Sequence, residues 1–333
     1  MTYSNIHSNS TLEESSPFPR ITIGITCYNA AHSIQRALHS ALDQNWPDFE
    51  VVVVDDASSD TSCLLIEQVS DGDSRIRPVY HQVNLGAAAA RNSILEAASG
   101  EFIAFFDDDD VSTPDRLQLQ YERIVSYEQT ASTQLIACYA SGERMYPNGY
   151  VMPLRAVGAD GQPPIGSAMA DYLLFYKREP GIFYGAGTPT CSLMARTSVF
   201  QEIGGFDTAM RRQEDIDFAI RLSFKEGHFI GISEEVLMQH ATYGSEKNAL
   251  VEFESFLRLL DKNKDYLFST DSYCYMKLWS EMRYRHFSGQ DGQALLILTK
   301  LLLSSPWRTT QHFLGSATRR FLHERSIGAP SHD

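Results

Sequence analysis

The chain lacks any run of apolar residues close to the ~20 that a membrane-spanning helix requires. The longest candidate, Ala294 to Leu303, is about half that length and carries Lys300, which predicts a buried helix instead. Basic residues are also scarce, with 28 Lys and Arg against 42 Asp and Glu and a net charge of −14. Neutralising phosphates needs a basic face, so nucleic acid is excluded as the main partner. Cysteine is sparse, odd in number and scattered (Cys27, Cys63, Cys138, Cys191, Cys274), without the paired spacing of a zinc site. Reduced thiols are expected. Residues 1–18 are polar and hold no apolar core of signal-peptide length, which predicts a disordered leader. Together these absences predict a cytoplasmic protein without a transmembrane helix.

What is present is an ordinary globular composition, 43% hydrophobic and 21% charged over 333 residues, enough for one large domain with an appendage. The first ~110 residues alternate short β-branched or aromatic runs with helical patterns. Ile21 to Thr26, Phe49 to Val54, Arg75 to Tyr80 and Glu101 to Phe106 read as strands. Ala31 to Leu42, the segment carrying Leu64, Leu65 and Ile66, and Ala87 to Ala98 read as helices. That alternation predicts an α/β fold with a mixed, mostly parallel sheet flanked by helices. Farther on, Gln134 to Tyr139 and Thr190 to Ala195 read as strands, and Phe229 to Ile232 and Glu235 to Met238 as two short ones. Ser141 to Gly166 reads as a long Gly- and Pro-rich loop. Beyond Lys247 the pattern is helical, without repeats. The expected division is a leader at 1–18, a catalytic domain at 19–245 and a helical C-terminal extension at 246–333.

The chemistry concentrates where strands end. The second strand runs into Asp55 and Asp56, and the fourth into Asp107, Asp108, Asp109 and Asp110 with no cation among them. Adjacent carboxylates repel, and burial makes the repulsion worse. Either the run is a solvated acidic turn or a hard divalent cation, which prefers oxygen ligands, makes it favourable. Ligands of open α/β sheets bind just outside the carboxyl ends of the strands, where both acidic groups fall.

Several stretches, in order, resemble the family 2 glycosyltransferases: Thr26-Cys27-Tyr28-Asn29, Val53 to Asp60, Asn84-Leu85-Gly86 with Arg91-Asn92, Phe106 to Asp110 with Pro114-Asp115-Arg116-Leu117, and Gly204-Gly205-Phe206-Asp207 with Glu214-Asp215. The resemblance covers about Ile21 to His240. It implies the GT-A (Rossmann-like) fold and an inverting, nucleotide-sugar-dependent enzyme that moves one sugar from a nucleotide sugar, with a UDP-sugar expected, to a hydroxyl of a glycan or lipid-linked acceptor in cell-surface glycan synthesis. By resemblance Thr26, Tyr28 and Asp56 line the nucleoside pocket, Arg91 near its helix start meets the diphosphate, and Asp107-x-Asp109 is the metal motif for Mg²⁺ or Mn²⁺.

Four Asp in a row leave the register open. The reading takes Asp109 as direct metal ligand, Asp107 and Asp108 on ribose or metal-bound water, and Asp110 in support. His240 is either a further metal ligand or a structural histidine. Asp215 matches the catalytic carboxylate, with Glu214 and Asp217 as competitors and Glu214 and Gly205 on the acceptor side; Asp217, two residues on, faces away on a helix. Acceptor choice is assigned to 141–166 and 181–190. The Gln-x-x-Arg-Trp signature of processive synthases is absent. The tail Ser304 to Arg325 carries four Arg against one Glu, with Trp307, Phe313 and Phe321 interspersed; it is either a solvated closing helix or a peripheral contact with the inner membrane face. Two rivals stand beside this reading. One is a sugar-phosphate nucleotidyltransferase, although Thr26 to Ser33 has none of the Gly, Lys or Arg such a site uses; the other is a nucleotide-sugar-binding relative without catalysis.

Overall fold

The structure, a computed structural model, describes residues 18–240 and 249–314. Strand β1 (Ile21–Cys27), helix α1 (Ile34–Leu42), β2 (Phe49–Asp55), α2 (Ser62–Ser70), β3 (Ile76–Tyr80), α3 (Ala87–Ala97) and β4 (Phe102–Asp107) form the alternating first half. There follow β5 (Val111–Ser112), α4 (Arg116–Ala131), β6 (Ile136–Met145), β7 (Val151–Leu154), α5 (Ser167–Phe175), β8 (Leu193–Arg196), α6 (Thr197–Ile203), α7 (Glu214–Ser223) and β9 (His228–His240). Helices α8 (Ala249–Lys262), α9 (Lys264–Ser269), α10 (Tyr273–Phe287) and α11 (Asp291–Ser304) complete the named elements, and residues 306–314 are helical.

All nine strands join one mixed sheet in the order β3-β2-β1-β4-β8-β6-β9-β5, with β7 on the flank of β6. The pairs β1–β2, β1–β4 and β2–β3 are parallel, so β1, β2 and β4 deliver their acid-bearing ends to the same edge. Strand alternation divides the core cleanly. Val52, Val54, Ile103 and Phe105 face one cluster, while Val51, Val53, Phe102, Ala104 and Phe106 face the other. Both faces of these strands are covered, which is why they read as unbroken apolar runs. The first cluster also contains Leu259, Leu260, Met276, Trp279 and Leu301. The C-terminal helices therefore share a core with the sheet. The expected boundary at 245/246 lies outside the described residues, as do residues 1–17 of the leader and the tail beyond 314.

Three expectations are corrected. Residues 141–166 are not one loop: β6 continues to Met145 and turns back into β7. The stretch gains its order from a remote partner, β9, which pairs with it from Ser141↔Glu235 to Met145↔His240. Glycine at 142 permits this, since a Cβ there would lie 1.9 Å from the Leu237 carbonyl oxygen. The two short strands expected around 229–238 are one strand, β9, whose register against β6 shifts around Ser141. Helix α11, expected to be buried, turns most of its leucines outward; Ala294 and Leu301 are its buried residues.

Candidate active site

The strand ends are fastened to one another by hydrogen bonds. The Tyr28 amide donates to Asp108 Oδ2 (3.1 Å). Asn29, in the left-handed region at φ 52°, accepts at Oδ1 from the Ser59 amide (2.8 Å) and donates its own amide N–H to the Ser58 hydroxyl oxygen (2.8 Å). Thr26 lies beside Val54 on one side and Asp107 on the other. Thr26, Tyr28 and the β4 acids thus sit together, with Tyr28 42% exposed and available to a ligand.

Asp56 is buried and already well bonded. It accepts from the amides of Leu85 (2.9 Å) and Gly86 (2.7 Å) and from His81 Nδ1 (2.7 Å). Because a carboxylate only accepts, Nδ1 carries the proton, and His81 Nε2 then accepts from the Ser93 hydroxyl (2.9 Å). Three of about four lone-pair sites are used, leaving one for a base N–H. Asp56 therefore anchors the Asn84-Leu85-Gly86 turn, a role the sequence alone did not suggest.

Beyond β4 the acids crowd. Oxygens of Asp107 and Asp110 lie with Cys191 Sγ within 4.8 Å of one another. Burial, followed by the Asp107 charge, pushes Asp108 up to about 8; burial, with Asp107 and Asp109 behind it, does the same to Asp110. Burial also raises Asp107, against the pull of Arg91. Arg116 is the other buried cation here, donating to the carbonyls of Phe105 and Cys191 (both 2.8 Å) and lying 4.0 Å from the Phe106 ring centre. Strand β5 pairs with β9 at Val111↔Met238, and continuing that antiparallel register sets Asp110 against Gln239 and Asp109 against His240. Gln239 Nε2 indeed reaches Asp110 Oδ2 (3.3 Å) and Cys191 Sγ (2.8 Å). His240 Nδ1 is buried without a hydrogen-bond partner.

These residues fit a divalent cation. Carboxylates that burial drives toward protonation are returned to the charged form by such an ion; Asp107 and Asp110 are the pair whose oxygens converge, while Asp109 and His240 lie outside that cluster. Cys191, a neutral thiol held far above its usual pKa by burial, is a poor ligand for a hard ion and serves as packing. Neither Cys191 nor Gln239 was singled out from the sequence as a site residue; the β5–β9 pairing brings in Gln239, and the β4–β8 pairing brings in Cys191.

The second acidic group lies at the start of α7. Arg91, expected to face a diphosphate, is instead 8% exposed and ion-paired with Glu214. Glu214, expected toward the acceptor, accordingly points inward. Burial works against the Arg91 charge, and Glu214, Asp107 and Asp215 more than offset it, so this guanidinium links the two acid groups. Asp215 accepts from the Ile216 amide (2.8 Å). Burial and then the Glu214 charge push it up to about 6, opposed by Arg91. Asp217 is buried and bound to Arg221 (2.8 Å) and Lys262 (2.6 Å), away from Asp215 as expected. Asp215 opens onto a cavity of about 680 Å³ between α5, residues 186–189, α8 and α10. Of the two segments assigned to acceptor choice, part of 181–190 lines it and 141–166 does not; Gly205 does not line it either. Gly205 instead packs on Asn92, where a Cβ would meet Oδ1 at 2.6 Å.

The strand-end acids and the α7 carboxylate gain context from known proteins. The amylovoran biosynthesis glycosyltransferase AmsB of Erwinia amylovora is 28% identical over 281 residues, 82% of this chain and 86% of that protein. The Escherichia coli UDP-Glc:alpha-D-GlcNAc-diphosphoundecaprenol beta-1,3-glucosyltransferase WfgD is 40% identical over 100 residues, 30% of this chain and 39% of its own length. Several other relatives are likewise matched over only 30% to 41% of their length. The crystal structure of Staphylococcus aureus TarS 1-349 in complex with UDP-GlcNAc aligns at a TM-score of 0.56 and 18% identity, over 87% of this chain and 82% of that one, a likeness of fold. The model named "Glycosyl transferase family 2" matches residues 22–201, a span that begins in β1, takes in every strand-end acid and ends in α6. The chain belongs to glycosyl transferase family 2.

Proposed function

We propose that this glycosyltransferase moves a single sugar from a UDP-sugar to a hydroxyl of a glycan or lipid-linked acceptor in surface polysaccharide synthesis, with inversion at the anomeric carbon. The observation that carries the reading is that Asp215 lines a cavity while the buried Arg91 feels the charges of both Asp215 and Asp107 at the end of β4. The names of AmsB and WfgD and the UDP-GlcNAc of TarS support the substrate classes. In the reaction the acceptor oxygen forms a bond to the anomeric carbon. The bond from that carbon to the phosphate oxygen breaks, and the nucleoside diphosphate departs with the electron pair. Asp215 takes the acceptor proton. Thr26, Tyr28 and the remaining lone pair of Asp56 receive the nucleoside. Asp109, Asp107 and His240 would hold Mg²⁺ or Mn²⁺, with Asp108 and Asp110 beside them, and the ion would neutralise charge on the departing diphosphate. Turnover of any UDP-sugar separates this reading from a binding-only relative.

Because Asp215 must be ionised to accept a proton, kcat/KM should fall as pH drops through about 6. Glu214→Gln removes the neighbouring charge that raises Asp215 and releases Arg91, which lowers it. The acid limb of the variant should therefore move to lower pH. A limb that stays in place in a rate–pH series would remove Asp215 from this role.

A peripheral contact with the inner membrane face is supported by the outward side of the C-terminal helices. Leu296 is 73% exposed, Leu303 82% and Trp307 74%, and Arg319, Arg320 and Arg325 follow in the sequence. No described helix is long and apolar enough to cross a membrane. Apolar side chains beside cationic ones suit an anionic lipid surface. Sedimentation with phosphatidylglycerol vesicles should pull the protein down at low salt, and Leu303→Glu with Trp307→Glu should leave it in the supernatant. Equal sedimentation of the variant would refute the contact.

A further inference from the structure

The cavity at Asp215 is built mostly from outside the sheet. Asp215 and Gln213 at the start of α7, Thr188, Phe253 of α8 and Tyr284 of α10 all line it. Two of its polar atoms have no protein partner: the hydroxyl of Thr188, a residue only 5% exposed, and the amide oxygen of Gln213. Buried polar atoms are otherwise almost always bonded. Gln213 is also held at φ 64°, a left-handed backbone uncommon for a non-glycine residue, and such strain gathers at ligand sites. The rings of Phe253 and Tyr284 lie stacked, 4.7 Å apart and 9° from parallel.

The chemistry of the lining selects a ligand class. Asp215 and Glu252 outnumber the one cationic lining residue, Arg283, which donates to the Tyr176 hydroxyl (3.2 Å). An acidic lining repels phosphate. Hydroxyl-seeking atoms next to flat apolar rings suit a neutral polyhydroxylated ring, whose polar edge bonds and whose C–H face packs on aromatics. The volume, about 680 Å³, falls within the ~300–1,000 Å³ of pockets that bury a whole small ligand.

We propose that this cavity is the acceptor subsite, and that Thr188, Gln213 and the Phe253–Tyr284 pair recognise the acceptor as a pyranoside ring whose attacking hydroxyl lies at Asp215. The inference rests on Asp215 being the base, and it makes the C-terminal helices part of the specificity machinery. A lipid-linked acceptor would seat its sugar here and keep its phosphates outside.

The test is saturation-transfer NMR on the full chain with UDP and Mn²⁺, using methyl and hexyl glycosides of glucose, galactose and N-acetylglucosamine as probes. At least one glycoside should receive saturation at its ring protons, and a preference for the hexyl form would point to a lipid-linked source. Thr188→Val and, separately, Phe253→Leu should each weaken that binding about tenfold, the loss of roughly one buried hydrogen bond or ring contact, while UDP affinity, measured by calorimetry, confirms that each variant is folded. Binding of UDP without binding of any glycoside, or glycoside binding equal in wild type and both variants, would overturn the proposal. Failure of UDP itself to bind would strike at the transferase reading instead.

Discussion

Asp215→Asn is expected to lower the transfer rate by about 10²–10⁴-fold, the usual contribution of a positioned general base. The substitution keeps the shape of the side chain and its bond from the Ile216 amide but removes the ability to take a proton. No neighbour can substitute. Glu214 is committed to Arg91, and Asp217 is 1% exposed and held by Arg221 and Lys262. Donor affinity should change little, because Asp215 lines a cavity to which Thr26, Tyr28 and Asp56 do not contribute. The loss should therefore appear in kcat, as expected when an interaction made only in the transition state is removed. Proton NMR of the reaction follows both the rate and the configuration of the new anomeric centre, which should be β from an α-linked donor. A variant rate within a few-fold of wild type, or retained configuration, would assign the chemistry to another group.

The first half of the fold was legible because its strands are buried on both faces and so appear as contiguous apolar runs ending in acids. The second half was not, because its order comes from distant partners. Nothing local in residues 141–145 announces a strand; β9, about 95 residues away, supplies the ladder and Gly142 the clearance. The same distance hid the Arg91–Glu214 pair, whose members are 123 residues apart and read singly as a diphosphate contact and an acceptor-side acid. Arg116 stood within a motif noted in the sequence, yet its burial near Asp107 and Asp110 was the unread part. The first cation after Asp107 to Asp110, six residues on, was the available signal. The aromatic wall of the cavity was illegible for another reason: Phe253 and Tyr284 lie on amphipathic helices, where an aromatic residue normally marks core.

The second large effect concerns the acids themselves. Asp107, Asp108 and Asp110 are all driven toward the protonated form by burial and mutual repulsion. Whenever they ionise, a diphosphate brought beside them would meet like charge. A divalent cation reverses that relation and stabilises the departing diphosphate by several kcal/mol, so its removal should cost about 10²–10³-fold in donor turnover. Asp109→Ala should mimic removal, because in the proposed reading Asp109 is a direct ligand of the ion and its charge adds to those of Asp107 and Asp110. The measurement closest to the central claim is a calorimetric titration of UDP into the protein with Mn²⁺, with Mg²⁺ and with EDTA. The account predicts clear binding with a divalent cation, weakened about a hundredfold or more by EDTA and likewise in Asp109→Ala. Equal UDP affinity in EDTA, or no binding under any condition, would contradict it.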